Sequence, residues 1–171
     1  MKKNSNYPEG FVDEEMRRSL LGIFAKLRRP VTLAAFLEEN GPLSKEIRQL
    51  FFDLEGLSDK ISLRLLNKDE EPALEKQAFV SHYPCIALFN HTGEFTGIKF
   101  RGMPGGHQFN SLIIALYNTA GPGQPLDESL LHRIRKIAGP VNIEIAVTLS
   151  CAFCPDVVMA CQRIALENPS I

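Results

Sequence analysis

No run of apolar residues in this sequence approaches the roughly 18–20 that a membrane-spanning helix requires. Charge of one sign is equally lacking: 19 Lys and Arg stand against 20 Asp and Glu, and no basic run is interleaved with aromatics, so nucleic-acid binding is not expected. Cysteine is sparse, at four in 171 residues, which does not make a disulfide scaffold. The stretch GMPGG ahead of His107 has no Lys-Ser/Thr after its glycines, so they read as the opening of a helix rather than a phosphate loop, and His107 as a helix-start residue. The first residues, MKKNSNYPEGFVDEEM, begin basic without developing an apolar core, so a secretory signal is not expected. What remains, 44% hydrophobic and 23% charged, is the balance of a globular protein of one medium or two small domains, with a cytoplasmic location as the expectation.

The periodicities predict alternating helices and strands. Residues 13–26 place Met16, Leu20 and Ile23 at helical spacing, which Leu27 continues, with acids first and bases last as the helix dipole prefers. VTLAAFL suits a buried strand, GPLSKEIRQLFFDLEGLSD a helix capped by Ser44 and stopped near Gly56, and KISLRLL a second strand. NKDEEPALEKQAF reads as a charged loop. YPCIALFNHTGEFTGIKF is a hairpin turning at Gly93, and RGMPGGHQFNSLIIALYNTAG leads into a helix with Phe109, Leu112, Ile113 and Leu116 on one face. A strand–helix–strand unit beside a hairpin and a closing helix is the thioredoxin layout, an α/β fold with helices flanking a mixed sheet. In that layout Pro84 stands where a cis-proline is expected.

The pattern then restarts. GPGQPL is a linker, DESLLHRIRKIAG a helix, PVNIEIAVTL a strand, and SCAFCPDVVMACQRIALEN a helix opening on cysteines. IFAKLRRPVTLAAFL and RIRKIAGPVNIEIAV share a basic helix end, Pro-Val and an apolar strand, an internal repeat of architecture. The expected organisation is a first thioredoxin-like fold without Cys-x-x-Cys over residues 11–120, then an incomplete second unit over 126–171 that carries it. A strand around 141–147 without neighbours from its own unit cannot offset its ordering entropy alone. It docks on the first unit's sheet, pairs with another chain as a homodimer, or belongs to a unit cut short at a boundary.

Cys151 and Cys154 fall at i and i+3 around a first helical turn, about 5–6 Å apart and within disulfide reach. A thiol at a helix N-terminus meets free N–H groups and the positive dipole end, which favour thiolate. Cys151 is the expected nucleophile and Cys154 the resolving thiol. Zinc would want four ligands, but Cys161 lies about 10.5 Å further along the helix and no His has finger spacing to the pair. Cys85 and Cys161 read as small core residues.

GMPGGHQFNSLIIAL together with GPVNIEIAVTLSCAFCPDVVMACQRIALENPSI resembles the N-terminal domain of the alkyl hydroperoxide reductase flavoprotein subunit. That domain is two tandem thioredoxin-like folds, the second with a Cys-x-x-Cys-Pro-Asp-Val-Val signature, matched here by Cys151–Val158. The resemblance implies a dithiol at Cys151 and Cys154 that reduces a peroxiredoxin. Electrons would arrive from a flavoprotein reductase whose FAD and NADH belong to downstream domains, with no cofactor in this chain. Ala152 and Phe153 stand where the family usually has His-Asn, and Gln108 where it often has Glu. Losing that His predicts a less acidic Cys151 and a more reducing couple. The alternative reading is a non-catalytic vestigial or interaction module.

Overall fold

VTLAAFL becomes β1 (Val31–Leu37), buried at every residue except Thr32. A strand buried on both faces needs partners on both edges. β2 (Ile61–Asn67) pairs with it in parallel and β3 (Cys85–Phe89) antiparallel, and β4 (Phe95–Arg101) pairs antiparallel with β3. The resulting order is β2-β1-β3-β4, a mixed sheet, in a computed structural model that describes residues 10–171. Gly93, at φ +81°, closes the β3–β4 hairpin, where Asn90 Oδ1 accepts the N–H groups of Thr92 and Glu94.

Alternation along the strands divides the core in two. Val31, Leu33, Ala35, Leu37, Ile86 and Leu88 face α1 (Glu14–Phe24), α2 (Ser44–Leu54) and α4 (Gln108–Ala120), which contribute Phe24, Phe51 and Leu112 among others. Ala34, Phe36, Cys85, Ala87 and Phe89 face the opposite way, under α3 (Pro72–Gln77) and the residues after it. This is the thioredoxin-like arrangement expected from the sequence.

Local corrections have physical causes. The expected charged loop contains α3, a single short helix with Pro72 in its first turn and little apolar periodicity to announce it. Glu75 on α3 is buried because it accepts the Asp69 N–H and the Tyr83 hydroxyl, each at 2.8 Å. Ser44 does not cap α2. Its hydroxyl instead donates to the Glu38 carbonyl at 2.7 Å. Asp13 does cap α1, accepting the Met16 N–H at 2.8 Å.

After α4 come α5 (Glu128–Arg135), capped by Asp127, and α6 (Cys154–Glu167). α6 lies against α4 and β4, and its Ala165 and Leu166 join the main core. The strand expected in PVNIEIAVTL is absent: residues 141–148 join no sheet, and Ile143 and Ile145 are 41% and 36% exposed. Alternation makes a run capable of being a strand, but only ladder partners make it one. A cleft of about 660 Å³ lies between this run, β4 and α6, bridged by Arg101 Nη2 and Glu144 Oε1 at 3.2 Å.

Buried Asn168 fastens the end of α6 to the end of α5, its amide donating to the carbonyls of Ile134 at 2.8 Å and Ile137 at 2.9 Å. Removing the amide leaves the Ile137 carbonyl without its partner and the Ile134 carbonyl with the Ile137 N–H alone, at the end of a helix. Asn168→Ala is therefore expected to cost about 1–3 kcal/mol, read as a lower urea midpoint with unchanged slope.

Candidate redox site

Cys154 is the first residue of α6, and Pro155 occupies the first turn, where a missing N–H costs nothing. Cys151 sits just ahead of the helix, and the two are joined, S–S 2.10 Å and Cα–Cα 5.5 Å. The Cys154 N–H donates to Cys151 Sγ at 3.2 Å, and the Cys151 N–H to the Thr148 carbonyl at 3.1 Å. Every helix start has N–H groups without intrahelical acceptors, and here one of them is aimed at sulfur. On reduction that contact and the dipole of α6 both favour negative charge at Cys151 Sγ. The structure thus brings Cys151 and Cys154 together as the sequence predicts, each half-buried.

The surroundings are apolar and open. Phe153, inside the Cys-x-x-Cys, is 83% exposed, and Val157, one turn further along, and Leu149 are exposed beside it. Asp156 is the one charged residue in the first turn of α6.

The glycine-rich connector meets the site from the other side. Gly106 has φ +53°, and a Cβ there would lie 2.6 Å from the Leu149 carbonyl oxygen. The His107 N–H donates to that same oxygen at 3.2 Å. These glycines thus serve the close approach of the Leu149 backbone to the start of α4. His107 touches the redox loop through its backbone. Gln108 is buried, its Oε1 accepting the Ser111 hydroxyl at 3.0 Å. Its Nε2 has no hydrogen-bond partner among the described residues, and Gln108 borders the cleft together with Gln162.

The other cysteines are separate from the pair. Cys85 is 1% exposed, and burial pushes its thiol up to about 11 against the partial offset of Lys99 and Arg101. Cys161, expected in the core, is only half-buried and borders the cleft. Tyr83–Pro84 is cis, as are Gly121–Pro122 and Gly139–Pro140. Among the described residues no three His, Cys, Asp or Glu side chains converge as a metal site would require, and no helix is long and apolar enough to cross a membrane.

No protein-family model matches the chain. The crystal structure of the NTD_N/C domain of alkylhydroperoxide reductase AhpF from Enterococcus faecalis superposes with a TM-score of 0.82 at 42% identity, covering 92% of this chain and 75% of that one. The chain belongs to the alkyl hydroperoxide reductase AhpF family. It is also 35% identical over 160 residues to the AhpF of Escherichia coli, across 94% of this chain. It spans 28% of the length of that curated relative. A protein disulfide oxidoreductase from Aeropyrum pernix superposes with a TM-score of 0.80 over 94% of this chain at 22% identity, which extends the likeness of fold beyond the AhpF family.

The resemblance puts the segment around Gln108 near the redox site, but the backbone contact of Gly106 was missed because its partner, Leu149, lies far along the chain. Its signal was the Gly-Gly pair itself, since positive φ and close backbone approach are what glycine permits. The separation of thiols gives an expected outcome. Iodoacetamide at pH 7.5 on reduced, folded protein labels the Cys151/Cys154 pair and leaves Cys85 unmodified in a peptide mass map. The same burial acts on stability: an unfolded thiol ionises near 9 and the buried one near 11, so the unfolded chain releases its proton first. Stability is therefore expected to fall as pH rises from about 9 to about 11, and Cys85→Ala to lessen that fall in denaturant titrations.

Proposed function

We propose that this chain is a thiol–disulfide exchange module acting through Cys151 and Cys154, in which residues 11–120 form a scaffold unit and 126–171 carry the redox pair. The observation that supports this reading most is the disulfide at the start of α6 with the Cys154 N–H directed at Cys151 Sγ. In the reduced module, Cys151 thiolate attacks one sulfur of a partner's disulfide. That bond breaks, the partner's other sulfur leaves as thiolate, and a mixed disulfide forms. Cys154 thiolate then attacks Cys151 Sγ and releases the partner's first sulfur. Two electrons pass to the partner, whose two thiolates take up the two protons, and the Cys151–Cys154 bond is restored.

The AhpF kinship supports a peroxiredoxin as the acceptor and a flavoprotein reductase dithiol as the donor. Flavin and nicotinamide chemistry then belongs to other domains, and this chain holds no cofactor. A cytoplasmic setting, where reducing equivalents keep such a pair turning over, suits this reading. Pairing of two copies along residues 141–147 is the accompanying quaternary reading, and a monomer by light scattering across concentrations removes it.

Cys151→Ser is expected to reduce disulfide transfer, followed as insulin turbidity with dithiothreitol, to the uncatalysed background. Cys154→Ser is expected to accumulate a mixed disulfide that is visible on a non-reducing gel. If Cys151→Ser turns over like the parent, or the pair resists reduction by dithiothreitol, the non-catalytic interaction reading takes its place.

A further inference from the structure

The loop that carries Cys151 is held at its base by a feature of α4. Leu149, two positions before Cys151, presents its carbonyl to the His107 N–H at the start of α4, at 3.2 Å. Gly106, at φ +53°, lies so close beneath that a Cβ would come within 2.6 Å of the Leu149 oxygen and 3.3 Å of its Cβ. Gly105 sits beside it, and there a Cβ would make only ordinary contacts, 3.9 Å from Leu149 Cδ1. Next to Leu149, Thr148 and Cys151 close their own turn through the 3.1 Å bond. A hydrogen bond, a tight backbone contact and a turn therefore fix the loop in series, ending on the sulfur that receives the Cys154 N–H.

We propose that Gly106 is a positioning residue for the Cys151–Cys154 couple, setting its redox equilibrium from outside the redox helix through the Leu149 carbonyl. The proposal rests on the exchange function assigned to the pair. Closing a disulfide from two thiols is favoured in proportion to how well the fold holds them in bonding geometry, which is an effective concentration. A side chain at 106 forces the Leu149 backbone away, breaks the His107 contact and loosens the base of the loop. The dithiol then closes less readily.

The test is the equilibrium of the full chain with glutathione, in which protein disulfide plus two glutathione thiols gives protein dithiol plus glutathione disulfide. Gly106→Ala is expected to shift this constant toward the dithiol by about threefold or more. Leu149→Gly frees the same loop without adding an atom, and is expected to shift it in the same direction. Gly105→Ala is expected to match the parent. So is Gly93→Ala, which carries comparable backbone strain at φ +81° in the hairpin with nothing near its Cβ. Should Gly106→Ala fail to fold, Leu149→Gly decides alone. Parent-like constants for Gly106→Ala and Leu149→Gly overturn the positioning role, as does an equal shift from Gly93→Ala. A parent disulfide inert to glutathione overturns the exchange function and this role with it, whereas an exchanging parent with unchanged variants overturns the role alone.

Discussion

The placement of the redox helix depends on how α4 is buried. One side of this helix, with Leu112, Ile113 and Leu116 at or near full burial, closes the core over β1 and β3. α6 packs along it as well, so the helix that starts at Cys154 is seated on the same element that seals the first sheet. The start of α4 then touches the loop in front of Cys151. Three separate needs, a lid for the sheet, a seat for α6 and a stop for the redox loop, converge on one helix of 13 residues. This explains how a redox helix that packs on no second sheet among the described residues is held: its surroundings are borrowed from the unit before it.

The parts of this arrangement that could be read from the chain were those encoded locally. β1 shows as a short apolar run, the hairpin as two β-rich runs around a glycine, and the redox pair as two cysteines at helical spacing before proline. Each signal lies within a few residues. Where the deciding interaction was distant, reading failed in proportion. Residues 141–147 alternate as a strand should, but strand formation requires a neighbour that no local pattern can supply. Ser44 looked like a cap because its type favours caps, yet it is the first residue inside α2, with Leu43 at the cap position, and its hydroxyl donates to the Glu38 carbonyl. α3 was hidden for the opposite reason, since its stability comes from Glu75 and its partners rather than from periodicity.

The four cysteines show how strongly placement divides one chemistry. Cys85 lies in a fully buried strand and is held protonated by desolvation. Cys151 and Cys154 lie at the start of α6, where the Cys154 N–H is directed at Cys151 Sγ. Cys161, on the same helix, faces a cleft and has no such donor among the bonds of the described residues. Residue type alone would have made them equivalent, and backbone geometry separates them.

The run between Val141 and Leu149 has a consequence for the protein's behaviour in concentrated solution. Its backbone offers donors and acceptors that no ladder takes up, β-branched residues stand at every second position from Val141 to Val147, and the run itself contains no proline. Those are the traits of a segment prone to intermolecular β-aggregation. Glu144, in the middle of the run, is its single charge, which makes it a gatekeeper residue. The ion pair with Arg101 holds that charge toward the protein's own edge strand. Within this unpaired segment, that one carboxylate is the feature that opposes edge-to-edge pairing with another copy.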